Sequence, residues 1–452
     1  MSTNKKATNK METLTLKPSE IMVAIRHNRD RKVSLFIWGP PGVAKSAVTA
    51  QVATEENIAL IDIRLSQMEP TDLRGVPMPT NDNGVAGLRW SAPLVLPRDI
   101  KLANAVNIEA IDHTIYFSNP LGDNGIHHCT KVDIQVSSLT KGAEAKIISQ
   151  DLDNFTVALL NSAGEKVEGR VHYKIAGKAK GILMLDEFNS APQSVQAGAY
   201  QLILDRRLGE YIVPEGVMVL AAGNRENDKG ITFRMPSPIA NRFVHLEMRS
   251  DFDDWQKWAL LAAIDQTVVG YLSAFKDDLH NFDAASASRG FATPRSWEFV
   301  SREIKNVGPD GLNDQILLAL ITGAVGDGVA VKFHAYRKSA AELPSANDIL
   351  NGVKKDLPTK DVSLHYALTT SLCYALRESS EELKRQGTPA DKRKIWLQQA
   401  DNFIGFMMKN FAPEVIIMGA KTALSVFKLN LNPKEMPNFS KFVDEYKKII
   451  IQ

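Results

Sequence analysis

The stretch VSLFIWGPPGVAKSAVTAQVATEEN, residues 33–57, constrains this chain more than any other. A short apolar run ends in Gly-Pro-Pro-Gly, and a segment of helical composition follows at once. The next residues, IALIDIRLS, form a second apolar run of strand character. Strand, glycine turn, helix, strand is a βαβ unit, and such units build parallel sheets. Two later runs, GILMLDEFN from Gly181 and GVMVLAAGN from Gly216, have the length and apolarity of further buried strands. Each of these runs ends in polar residues. In open parallel sheets ligands bind beyond the carboxyl ends of the strands, so the tips GPPG, DEFN and AAGN are expected on one rim.

The interval between the second and third of these strands is long and differs in character along its length. VPMPTNDNGVAGLRWSAPLVLP carries Asn-Gly and Gly punctuation between apolar segments, the pattern of a β-hairpin. Residues 113–177 alternate apolar and polar positions with turn residues between, and this predicts a β-rich module inserted into the α/β core. After Ser250 the apolar spacing is helical. SDFDDWQKWALLAAIDQTVVGYLSAF, DQILLALITGAVGDGVAVKFHAYRKS and YALTTSLCYALRESSEELKRQ each read as a helical stretch. A Ser19 cap is expected to start the first helix.

At 452 residues the chain exceeds what one core organises. The expected division is a flexible N-terminus over 1–16, a core over 17–249 containing the insertion 113–177, a helical lid over 250–358 and a C-terminal helical region over 359–452. Lys plus Arg number 54 against 52 Asp plus Glu, so the charge of +2 argues against a polyanion-binding surface. Cys129 and Cys373 are too few for a disulfide framework, and the polar N-terminal segment lacks a signal-type apolar run. These features point to a cytoplasmic protein without a membrane span.

Gly39 to Ser46, with Pro40, Pro41, Gly42 and Val43 inside, matches the phosphate-loop pattern at every fixed position but one, where Ala44 replaces glycine. Backbone N–H groups through Ala47 would cradle phosphate, Lys45 would reach the terminal phosphates, and Ser46 would ligate Mg²⁺. Alanine at 44 is expected to exclude a positive φ there. Asp186 and Glu187 close an apolar strand, where adjacent carboxylates are costly unless a cation or hydrogen bonds neutralise them. Asp186 suits the metal's water shell and Glu187 the polarisation of an attacking water. Asn224, at the tip of VMVLAAGN, can orient a water without competing for the metal, although turn asparagines are common. Thr293 and Pro294 fit the N-cap and first position of a helix, which puts Arg295 in the first turn, where a cation opposes the dipole unless an anion is near. His127, His128 and Cys129 lack a second ligand pair and read as a loop. Asp251, Asp253 and Asp254 read as a helix start. Arg206 and Arg207 suit either a face toward a neighbouring subunit or a solvated turn.

Taken in order, GPPGVAKS, LMLDEFN, AAGN, MPSPIANRF and FATPRSW resemble the AAA+ ATPases, and specifically the MoxR family; EPTDLRGVP and LRWSAPL add to the resemblance. It covers about residues 18–303 without the inserted module. It implies an ATP- and Mg²⁺-dependent ATPase assembled as a ring, hexameric in expectation, with nucleotide between neighbours. It further implies Arg242 as the arginine finger, with Arg234 and Arg225 as fallbacks, and Arg295 as the sensor-2 residue of the lid. A chaperone-like action on a protein client follows, beside a separate partner with a von Willebrand factor A domain. Two other readings stay open: a nucleic-acid motor, against which the neutral charge stands, and a nucleotide-binding scaffold without turnover, against which Lys45, Asp186 and Glu187 stand.

Overall fold

The computed structural model describes residues 14–450 except 57, 83–84, 92, 94–95, 98–105, 109–113, 119–133, 139–142, 151–153, 167–170, 176–180, 226–227, 229–232, 234, 283–288, 306–311 and 358. His127, His128, Cys129 and Arg234 therefore lie outside the described residues. The chain divides into two compact units, residues 1–249 and 250–452.

The first unit is built on six parallel strands: β1 (Thr15–Leu16), β2 (Leu35–Trp38), β3 (Ala59–Arg64), β4 (Gly181–Asp186), β5 (Val217–Gly223) and β6 (Val244–Met248). Their order in the sheet is β1-β6-β2-β5-β4-β3. Strands β4 and β5 are buried along their whole length because helices cover both faces of the sheet, and this is why their sequences are unbroken apolar runs. Alternate residues serve opposite cores. Ile182 and Met184 pack with Ile21, Ile25, Val48 and Val52 on one face. Leu183 and Leu185 pack with Val195, Ala199 and Leu202 on the other. The first helix, Pro18–Arg29, begins at a Lys17 N-cap, whose N–H donates to Glu20 Oε2 at 2.9 Å; Ser19 is inside the helix and not its cap.

Between β3 and β4 the strands Val76–Asp82 and Val85–Ser91 pair antiparallel as a hairpin. The insertion holds two small antiparallel sheets. One pairs Thr114–Ser118, Asn154–Asn161 and Ala143–Gln150. The other pairs Val106–Ile108, Val171–Ile175 and Ile134–Ser138, so its pairing begins upstream of residue 113.

The second unit is helical. The first long helical stretch of the sequence is two helices, Phe252–Leu261 and Gln266–Ala274, separated by a break in which Ala263 has φ 53°. The next is also two, Asp314–Val325 and Asp327–Ala341, because Gly326 at φ 84° ends the first. The third is one helix, Val362–Arg385, which feeds two cores: Leu364 and Ala367 join Trp297 and Phe333, whereas Leu372 and Leu376 join Phe403 and Phe442. Among the described residues no helix is long and apolar enough to cross a membrane.

Candidate functional site

Three strand tips of the first unit converge on one rim, as parallel strands in one sheet must. After β2 the loop Gly39–Ala44 turns into the helix Lys45–Glu55. Gly42 at φ 75° and Ala44 at φ 77°, ψ 30° both take the left-handed conformation. Ala44 thus adopts the positive φ that its side chain was expected to exclude; an L-residue held there costs about 1–2 kcal/mol, strain of the kind that collects at functional sites.

Lys45 points back over this loop. Its Nζ donates to the Gly39 carbonyl at 2.8 Å, the Pro40 carbonyl at 3.2 Å and Asn224 Oδ1 at 3.0 Å. Ser46 Oγ donates to Asp186 Oδ2 at 2.6 Å. The other carboxylate oxygen, Asp186 Oδ1, accepts the Glu187 main-chain N–H at 2.8 Å. Ser46 and Asp186 offer two hard oxygens beside a helix N-terminus, the donor type that suits Mg²⁺ when waters and phosphate oxygens complete its shell. No group of three or more His, Cys, Asp or Glu placed to hold a metal occurs among the described residues, so a magnesium ion here would depend on water and nucleotide for most of its ligands.

Glu187 itself sits at φ 54°, ψ 34°, a second strained residue on the rim. Its carboxylate accepts a hydrogen bond from Ser66 Oγ, just past the end of β3. Sequence reasoning missed Ser66; its position at the tip of IDIRLS, beside the neighbouring strand tip, is the signal that marks it. Asn189 was missed too. Its Nδ2 donates to the Asn224 carbonyl at 2.7 Å and its Oδ1 accepts the Asn224 N–H at 3.2 Å, so a buried side chain pairs with the main chain of Asn224 as a strand would. Gly223 is required here, because a Cβ on it would lie 2.3 Å from Asn189 Oδ1.

Asp62, on β3 opposite Met184, faces the same carboxylates. The residue is exposed, but partial desolvation of its carboxyl and then the Asp186 charge hold that carboxyl above the ordinary range, with Arg64 opposing.

The arginines separate into distinct settings. Arg225 ion-pairs with Glu247 and its N–H donates to Asp228 Oδ2 at 3.1 Å. Arg206, half-buried, turns inward, its guanidinium donating to the Pro214 carbonyl at 2.9 Å and the Val217 carbonyl at 2.5 Å, so it staples its own hairpin. Arg207 is exposed, its guanidinium donating to the Gly209 carbonyl at 3.3 Å. Arg242 is exposed after the short helix Ser237–Ala240, and its guanidinium has no hydrogen-bond or ion-pair partner among the described residues. In the second unit Arg295 is exposed in the first turn of Pro294–Lys305, where Thr293 Oγ1 accepts the Ser296 N–H at 3.0 Å. Asp251 caps Phe252–Leu261 by accepting the Asp254 N–H.

No family model matches the chain, and no curated protein matches it. Among solved structures it is similar to a candidate ATPase of Cytophaga hutchinsonii, at 10% identity over 91% of this chain and 82% of that one, with a TM-score of 0.27. It is similar to the Thermotoga maritima RuvB Holliday junction branch migration motor, at 11% identity over 78% and 80% of the two chains, TM-score 0.30. A third is NtrX of Brucella abortus in complex with ATP, at 11% identity over 96% and 68%, TM-score 0.31. The chain itself shows a six-stranded parallel sheet with a glycine turn and helix start at one strand tip, and a helical C-terminal unit.

Proposed function

We propose that this chain is a MoxR-like AAA+ ATPase that binds ATP with Mg²⁺ and hydrolyses the β–γ phosphoanhydride bond. The observation that carries the reading is the continuous hydrogen-bonded set Lys45–Asn224 and Ser46–Asp186 at one rim, with Glu187 adjacent. In this reading the loop Gly39–Ala47 holds the phosphates through its N–H groups and helix N-terminus. Lys45 exchanges its loop carbonyls for the terminal phosphates. Ser46 and Asp186 hold the metal, which when bound neutralises charge on the phosphate oxygens. Glu187 orients and deprotonates the attacking water, and Asn224 keeps that water in line.

Arg242, exposed and without a side-chain partner among the described residues, is the natural candidate to complete a neighbouring copy's site in a homo-oligomeric ring, hexameric by family resemblance, and Arg295 the candidate to contact nucleotide from the helical unit. The same resemblance supports a chaperone-like action on a protein client, together with a separate von Willebrand factor A domain partner. The β insertion, which interrupts the core between β3 and β4, is the proposed docking element. Deleting residues 113–177 should abolish partner recovery in pull-downs while ATP binding persists; unchanged recovery would reject that role.

The central test is Glu187→Gln. It should keep ATP binding, measured by calorimetry, while turnover falls at least about a hundredfold, the scale of a lost catalytic base. Full residual turnover would remove Glu187 from its role, and absence of any ATP binding by the unsubstituted chain would remove the function.

A further inference from the structure

The helix that precedes Arg242, Ser237–Ala240, has four residues, too few to hold its geometry by its own hydrogen bonds. Its anchors lie elsewhere. Ile239 and Phe243 are buried, and the Phe243 ring stands edge-on to Phe36 at 5.3 Å and to Phe188 at 5.9 Å. A further anchor is His245 on β6. Its Nδ1 lies 2.8 Å from Trp38 Nε1, and its Nε2 lies 2.7 Å from the Ala240 carbonyl oxygen. An indole N–H can only donate, so Nδ1 is the acceptor and the proton sits on Nε2, which donates to Ala240. Trp38 is the last residue of β2, directly before Gly39. One imidazole therefore ties the strand that enters the phosphate loop to the end of the helix that carries Arg242.

We infer that His245, held in its Nε2-protonated tautomer by Trp38, is a positioning residue for the Arg242 turn, so that its effect falls on the nucleotide site of the neighbouring copy and not on its own. Arg242 has no side-chain partner among the described residues, and its main-chain N–H donates to the Ile239 carbonyl at 2.9 Å, so the turn aims it. The inference rests on the proposed ring in which Arg242 reaches the next subunit.

Mixed rings test it. Glu187→Gln and Arg242→Ala each disable a different half of an interface, so mixing the two should restore turnover at interfaces that pair an intact Glu187 with an intact Arg242. His245→Ala alone should retain ATP binding and lose turnover about a hundredfold, the scale of an ångström-level misplacement of a catalytic group. Mixed with Glu187→Gln it should be restored; mixed with Arg242→Ala it should not. If His245→Ala stays inactive with Glu187→Gln while the Arg242→Ala mixture recovers, the defect lies in its own site and the inference fails, as it does if His245→Ala alone keeps full turnover. If the mixture of Glu187→Gln with Arg242→Ala does not recover, the arginine reading fails and takes the inference with it. Trp38→Phe keeps a ring and removes only the indole donor; it should show a smaller loss with the same complementation pattern, and it carries the test should His245→Ala not fold.

Discussion

The Lys45 ammonium and the Asn224 amide oxygen lie 3.0 Å apart across neighbouring strand tips, which joins the glycine loop after β2 to the tip of β5. Asn224 is held for this by Asn189, which saturates its main chain. Asn224→Ala should leave ATP affinity within a fewfold and lower kcat about a hundredfold, as loss of a water-positioning group does. Steady-state kinetics beside equilibrium binding separates the two; an equal loss in both would assign Asn224 to binding alone.

Ser66 occupies the Glu187 carboxylate with its hydroxyl. In the proposed mechanism the water that Glu187 deprotonates must compete with that donor, whose net strength is about 1 kcal/mol. Ser66→Ala should therefore raise basal ATP turnover about fivefold, the factor that this energy represents. A fall in turnover with binding intact would show instead that Ser66 aims the carboxylate productively.

Ala44 holds φ 77° with a Cβ that disfavours it. Ala44→Gly removes this strain and adds backbone freedom to the unfolded chain, so the expected gain is at most about 1 kcal/mol. Ala44→Val should lose more than about 1 kcal/mol, since a branched Cβ fits the left-handed region worse. Urea unfolding of the three proteins checks the order; Val at or above Ala in stability would contradict the backbone geometry.

Asp62 binds its proton more tightly in the folded chain than in the unfolded one, because partial desolvation and the Asp186 carboxylate raise its pKa. Its contribution to stability is therefore complete below the unfolded pKa and is lost as pH rises through the folded value, so at neutral pH the charged form is a net penalty. Asp62→Asn should stabilise the metal-free protein at neutral pH, and the gain should shrink as pH falls toward about 4, where the unfolded carboxyl also takes its proton. Denaturation midpoints at both ends of that window measure it. A gain that grows on acidification would mean the pKa is lowered, not raised.

The local elements around the site were legible because parallel strands covered on both faces must be apolar without interruption: LFIW, GILML and VMVLAAG announce themselves and end where their polar tips begin. That Lys45, Ser46 and Asp186 stand at strand tips of one rim followed from their places in these runs. Ser66 and Asn189 were not, since a serine after one strand and an asparagine after another are ordinary turn residues until the sheet order brings β3 beside β4 and β4 beside β5. The helix breaks at Ala263 and Gly326 escaped the periodicity for a related reason, because the apolar spacing continues across each interruption.

What the sequence determined by itself is the chemistry of the strand tips: a glycine turn with a lysine, a carboxylate pair and an amide, each fixed by its neighbours in the chain. Only the tertiary structure decided which of them meet and what restrains them. The Asn189 support beneath Asn224 and the His245 bridge to Trp38 depend on contacts between residues distant in sequence, and the left-handed turn at Ala44 and the inward course of Arg206 are backbone and side-chain geometry that no residue spacing announces. Hydrogen bonds and strain of that kind are set by three-dimensional packing, which residue order specifies but local pattern does not reveal.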